Sequence, residues 1–215
     1  MALKVNEIFY SIQGESSCAG RPCVFVRLTG CNLRCSYCDT RYAYEGGDDL
    51  GINDIVERVS SLKCPLVEVT GGEPLIQEET PTLIHRLLEQ GYKVLMETNG
   101  SCDISQVNDR CVKIVDFKCP SSGETNSSDL KNLERLTDHD EVKFVVGDRE
   151  DYEYAKGILS LTNPNICRTN IVHFSPVFGV MEPKTLARWI LEDCLDVRLH
   201  LQLHKMIWPP DQRGV

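Results

Sequence analysis

Several common signals are missing from this chain, and each absence removes a class of function. No apolar run of 18 residues occurs, so no membrane-spanning helix is expected. The opening stretch Met1-Ala-Leu-Lys-Val-Asn-Glu7 lacks the apolar core of a signal peptide, so secretion is not expected either. Basic residues are scarce. Only 23 Lys and Arg face 32 Asp and Glu, and a net charge of −9 argues against stable nucleic-acid binding. No linker, internal repeat or low-complexity tract breaks the 215 residues, which suffice for one sizeable core and are short for two. A single domain over residues 1–215 is expected. Outside one octet, no two cysteines have the C-x2-C spacing of paired metal ligands.

Cysteine itself is plentiful. The chain has 11, an odd number that suits a reducing cytoplasm better than a secreted disulfide scaffold. Eight of them (Cys18, Cys23, Cys64, Cys102, Cys111, Cys119, Cys167 and Cys194) read as mostly buried or half-buried thiols, small hydrophobes in effect. The other three form Cys31-Asn-Leu-Arg-Cys35-Ser-Tyr-Cys38, whose spacing lets one loop bring three thiolates to one centre. A cubane iron–sulfur cluster takes four ligands, so three leave one iron open to a reactant. Structural zinc is the competing reading. It needs four ligands, commonly as two separated pairs, and no Cys or His adjoins the octet as a fourth.

Apolar runs alternate with amphipathic ones. Val24–Leu28, Leu66–Thr70, Lys93–Glu97, Val112–Asp116, Glu141–Val146, Asn170–Phe174 and Val197–Leu203 read as strands, mostly apolar throughout, as in parallel sheets covered on both faces. Asn53–Leu62 reads as a helix capped by Asn53. The next helix has Thr80 as cap, Pro81 in its first turn and Gly91 as its stop; Asp151–Leu161 and Glu182–Cys194 follow. Ser121–Asp129 reads as a polar loop leading into a helix. Strands alternating with helices predict a parallel α/β fold, with too few units for eight strands, hence a partial, open β/α barrel.

The octet, with Tyr37 before its last cysteine, resembles the cluster loop of radical S-adenosylmethionine (SAM) enzymes. That resemblance implies a 4Fe–4S cluster on Cys31, Cys35 and Cys38. The open iron chelates SAM, and one electron cleaves it to methionine and a deoxyadenosyl radical that takes a substrate hydrogen. Thr70-Gly71-Gly72-Glu73-Pro74 resembles the superfamily's turn for the SAM amino group, and paired glycines let a backbone come close to a ligand. Glu97-Thr98-Asn99-Gly100 reads either as an Asn-Gly turn or as a ribose contact through Glu97. Asp116-Phe117-Lys118-Cys119-Pro120-Ser121-Ser122-Gly123 reads as a solvated loop or a SAM contact.

Further segments narrow the resemblance: Asn6–Ser16 with its Ile12-Gln13-Gly14-Glu15, Arg27, Cys38-Asp39-Thr40, Glu141–Phe144 and Gln202–Trp208. From about Lys4 to Trp208 the chain resembles 7-carboxy-7-deazaguanine synthases. Ser16 stands where that family commonly has a second glycine, and the tail Pro209–Val215 is a second departure; the terminus helps close the active site in some members, and the sequence leaves the role of this tail open.

The resemblance implies conversion of 6-carboxy-5,6,7,8-tetrahydropterin to 7-carboxy-7-deazaguanine with loss of ammonia, in queuosine biosynthesis. It also implies a homodimer, magnesium, and an electron donor such as flavodoxin or ferredoxin. Matching positions give Tyr37, Asp39, Gly72, Glu97, Lys118 and Ser121 for SAM, and Thr40 for magnesium. Ile12, Gln13, Gly14, Glu15, Arg27, Thr70 and His204 match the substrate positions. Taken as residues alone, Thr40 could cap its loop and His204 could be a satisfied core histidine. Arg27 could reach water at a strand end, although Val24, Phe25, Val26 and Leu28 around it favour a buried partner such as a substrate carboxylate. A glycyl-radical-enzyme activase and a non-catalytic iron–sulfur or zinc scaffold are the alternatives.

Overall fold

Valine- and isoleucine-rich runs form the centre of the fold. The computed structural model describes residues 2–161 and 170–215, so Cys167 lies outside the described residues. Strands β1 (Ala2–Ile12), β2 (Pro22–Leu28), β3 (Asp48–Gly51), β4 (Leu66–Gly71), β5 (Lys93–Thr98), β6 (Val112–Asp116), β7 (Glu141–Val146), β8 (Ile171–Pro176) and β9 (Arg198–Leu199) form one sheet. Its order is β3-β1-β2-β4-β5-β6-β7-β8-β9. All neighbours from β2 to β9 pair in parallel, and the sheet does not close. The partial barrel expected from the strand and helix alternation is the architecture present.

Helices α1 (Ile52–Ser61), α2 (Thr80–Glu89), α4 (Arg149–Leu161) and α5 (Pro183–Glu192) each bury one apolar stripe, with the short α3 (Asn132–Arg135) and α6 (His204–Ile207) between and after them. In α2 the stripe is Leu83, Ile84, Leu87 and Leu88. Alternation along β4 then divides two environments: Val67 and Val69 join the apolar core, while Glu68 and Thr70 face a central cavity.

Several boundaries differ from the sequence reading. β1 and β3 are additional, antiparallel strands. β1 hides from a search for apolar runs because only its start is buried, at Leu3 and Val5, while Tyr10 is exposed. The run 170–174 starts one residue later and extends to Pro176. The run 197–203 shortens to two residues, since β9 is an edge with Leu199 and Leu201 exposed, and among the described residues it pairs with β8 alone. Asn53 caps nothing. α1 starts at buried Ile52, and the Asn53 amide oxygen accepts from Arg86 instead, at 3.4 Å. Thr80 lies inside α2, its buried hydroxyl donating to the Pro74 carbonyl at 2.6 Å. The helix read from Asp151 begins at Arg149, and the one read over 182–194 is Pro183–Glu192. Of the thiols read as buried, Cys18, Cys23, Cys64, Cys111 and Cys119 are buried and Cys102 half-buried. Cys194 is exposed, at a left-handed φ of 52° just past α5.

Candidate active site

The cysteine octet leaves β2 at the carboxyl end of the sheet, and backbone contacts fix its path. The Gly30 carbonyl accepts from Glu73 N at 2.8 Å, Ser36 N donates to the Ser122 carbonyl at 2.9 Å, and Arg34 N donates to Glu124 at 2.7 Å. The two glycines of the turn after β4 make this possible. A Cβ on Gly72 would meet Gly30 O at 1.9 Å and Cys31 Cβ at 2.7 Å; one on Gly71, at φ 150°, would meet Leu28 O at 2.3 Å. The glycines therefore clear space for the cluster loop's own backbone. Buried Glu73 locks the far side, accepting from Asn99 N at 2.6 Å, Thr98 Oγ1 at 2.8 Å and Leu75 N at 3.0 Å.

Cys31, Cys35 and Cys38 all line a cavity of about 780 Å³. Burial pushes the Cys31 and Cys35 thiols up from the usual range, a cost that coordination to metal reverses by deprotonating them. A cubane cluster takes four ligands, one on each iron, and the three cavity-lining thiols would supply three of them and leave one iron open. Beside the thiols, buried Tyr37 Oη and Asp116 Oδ1 have no hydrogen-bond partner among the described residues, which fits a site built for a further polar ligand.

In the same cavity, one lysine organises the carboxylates. Lys143, in β7, places Nζ 2.7 Å from Glu97 Oε1 and also donates to Glu15. Burial pushes Glu15 up, but Lys143, then His204, outweighs it and holds the carboxyl well below its usual range. Burial likewise opposes the Lys143 charge, and Glu15 and Glu97 overcome it. Burial pushes Glu97 up despite its lysine. Gln202 Nε2 donates to Glu15 at 2.9 Å, and Gln13 Oε1 accepts from Glu15 N at 3.1 Å. The loop bearing Gln13 and Glu15 is anchored further along, where Ser17 N donates to Glu141 at 2.9 Å and Glu141 pairs with His173 Nε2 at 2.7 Å.

Arg27 is half-buried against a protein partner. Its Nε donates to Glu7 at 2.8 Å, and its guanidinium lies over the Phe9 and Tyr42 rings, 5.7 and 5.8 Å from their centroids. Its two terminal nitrogens donate to no group among the described residues and adjoin the cavity. His204 packs on Gly14, where a Cβ would come within 2.1 Å of Nδ1, and burial pushes this histidine down. Thr40 Oγ1 donates to Asp39 at 2.8 Å, and Asp39 also takes Lys205 at 2.5 Å. Ile12, Thr70, Gly72 and Lys118 line the same cavity, with Lys118 held charged by Asp116 at 2.8 Å.

Ser121 is not part of the lining. Its N and Oγ both donate to Asp151, and its carbonyl accepts from Ser36 Oγ at 2.7 Å. The sequence reading gave no individual role to Lys143, Glu68, Glu7 or Tyr42. The signal for the first two was a charge inside an apolar strand, the same one that exposed Arg27. The tail belongs to the site too: residues 210–215 line the cavity, with Arg213 stacked 3.9 Å over Tyr42.

The Radical SAM superfamily profile matches residues 25–114, from β2 through β6. A curated 7-carboxy-7-deazaguanine synthase of Koribacter versatilis is 47% identical over 99% of this chain and 100% of its own length. The one of Chlorobaculum tepidum is 46% identical over 99% of this chain and 97% of its own. The chain belongs to the 7-carboxy-7-deazaguanine synthase family. The crystal structure of QueE from Escherichia coli, 23% identical, has the same fold, with a TM-score of 0.78 and 95% of each chain covered. As a member of the 7-carboxy-7-deazaguanine synthase family, the protein is a radical SAM enzyme of 7-deazapurine biosynthesis, and a 4Fe–4S cluster and SAM are its cofactors. The activase and scaffold readings are not favoured.

Proposed function

We propose that this enzyme converts 6-carboxy-5,6,7,8-tetrahydropterin to 7-carboxy-7-deazaguanine, releasing ammonia. One observation carries the reading: a single cavity is lined by the three thiols together with Gln13, Glu15 and Arg27, whose two terminal nitrogens are open. Bound there, cluster and SAM supply a carbon-centred radical that takes a hydrogen atom from the substrate. The remaining work falls to the chain's own residues. Glu15, kept ionised by Lys143, accepts hydrogen bonds from the amino-pyrimidine edge of the pterin, while Arg27 offers its outer nitrogens to the carboxylate. Ile12, Gly14, Thr70 and His204 shape the pocket between them. On the SAM side we assign Tyr37, Asp39, Gly72, Glu97 and Lys118. Ser121 acts indirectly, by holding Ser36 of the cluster loop.

Magnesium belongs to the same proposal. Thr40 donates its hydroxyl proton to Asp39, which leaves its oxygen lone pairs free to hold a cation, and magnesium there would offset the negative charge of the substrate. We further propose a single-domain, cytoplasmic homodimer reduced by a flavodoxin or ferredoxin. No helix among the described residues is long and apolar enough to cross a membrane. The test is anaerobic reconstitution with iron and sulfide, then incubation with SAM, reductant, magnesium and the pterin. The deazaguanine product is expected from the wild type and not from Cys35→Ala.

A further inference from the structure

Among the residues that line the cavity are the acids Glu15, Glu68, Glu97 and Asp116 and the lysines Lys118 and Lys143. Both lysines are committed: Lys143 to Glu15 and Glu97, Lys118 to Asp116. Of these four acids, Glu68 is the one left without a cation. It is 3% exposed, its Oε2 accepts from the Gln13 side-chain amide, and its Oε1 has no hydrogen-bond partner among the described residues, on a residue that lines the cavity. An unpaired buried carboxylate is costly, and a buried carboxyl without a cation takes up a proton instead. Burial pushes the Glu68 carboxyl well up, and the charges of Glu97 and Glu15 push it further. The other titratable groups near it are Lys143 from β7, Cys23 from β2 and Cys111 beside β6, and none of them supplies a cation at ion-pair distance.

We propose that Glu68 is a catalytic acid that enters the reaction neutral and protonates the departing amine. This rests on the pterin reading above. As the carbon–nitrogen bond breaks, its electron pair leaves with the nitrogen, and a neighbouring ring nitrogen closes a C=N bond in its place. The leaving nitrogen takes the Glu68 proton and departs as ammonia. The resulting carboxylate then takes up the proton that the ring sheds on becoming aromatic, so no oxidant or reductant is consumed.

The test pairs infrared spectroscopy of the cofactor-free protein with turnover. Glu-labelled wild type at pH 7 should show a protonated-carboxyl band that is lost in Glu68→Gln. In Glu68→Asp the band should reappear under Asp labelling, which also decides the matter if the Gln variant fails to fold. Glu68→Gln imitates the neutral acid, so it should keep thermal stability, pterin affinity and SAM cleavage while turnover falls by about 100-fold or more. The fall of wild-type turnover at rising pH should vanish with it. Absence of the band, or Glu68→Gln turnover and pH profile equal to wild type, overturns the proposal. A wild type that cleaves SAM and yields no deazaguanine overturns the pterin reading first, and this proposal with it.

Discussion

Lys143 Nζ sits 2.7 Å from Glu97 Oε1 and on the same side holds Glu15, so one buried ammonium joins the proposed SAM wall to the proposed pterin wall. Removing it strands two carboxylates in a low-dielectric site. Lys143→Met should therefore lose about 3–5 kcal/mol in denaturant unfolding, the usual cost of breaking a buried pair from one side. Lys143→Met/Glu15→Gln should recover part of that loss. A Lys143→Met protein as stable as wild type would show that the two acids are already neutral.

The Gly72 contact predicts a selective defect. Gly72 is needed for space, since its added Cβ would strike the Gly30 carbonyl backbone. Gly72→Ala should fold and yet take up less iron on reconstitution, with SAM cleavage falling in parallel. Normal iron content in Gly72→Ala would mean that the loop can shift without losing its thiol geometry.

Ser16 explains its own departure from the family pattern. It has a left-handed φ of 61°, where glycine is free of strain, and its Oγ accepts from Cys18 N at 3.1 Å. Ser16→Ala keeps the strain and drops the bond, so it should lose about 1 kcal/mol. Ser16→Gly drops both and should be at least as stable as Ser16→Ala. A glycine variant less stable than the alanine one, measured by urea unfolding, contradicts this account.

His200 gives the fold an acid limit. Burial pushes it down to about 4, and His173 lies against it with ring centroids 4.8 Å apart. Its folded value lies below its unfolded one, so the unfolded chain binds more protons at acid pH. Stability should fall as pH drops from about 6.5 towards 4, by about 3 kcal/mol at most. His200→Phe leaves no partner unbonded, because both His200 nitrogens lack one among the described residues. Melting of the cofactor-free variant should depend less on pH across that window. Parallel curves for the two proteins would place the acid limit elsewhere.

Arg27→Lys separates pterin affinity from SAM chemistry. Lysine cannot hold Glu7 with one nitrogen and offer two more to a carboxylate. Pterin affinity should drop about tenfold or more, on the scale of a charge-assisted pair, while SAM cleavage with reductant persists. Unchanged pterin affinity would move the carboxylate away from Arg27.

The parallel strands β2 and β4 to β8 were legible because each is largely buried and reads as an apolar run, whereas the two-residue edge β9 is exposed. β1 was not legible, because it pairs at the exposed flank, where alternation is broken by polar residues and a bulge near Glu7. The thiol loop was legible from spacing alone. Lys143 and Glu68 each interrupt an apolar strand just as Arg27 does, but a charge in a strand names its partner only when the barrel brings facing strands together. Ser121 illustrates the converse: it lies in a motif beside the site, and its side chain is spent on Asp151.

The central claim is a ring contraction that expels nitrogen, and stoichiometry tests it most directly. Reconstituted enzyme with limiting SAM, excess 6-carboxytetrahydropterin, magnesium and reductant should release ammonia and 7-carboxy-7-deazaguanine in equal amounts, over many turnovers per SAM. Cleavage of SAM to methionine with neither ammonia nor deazaguanine formed would contradict the assignment.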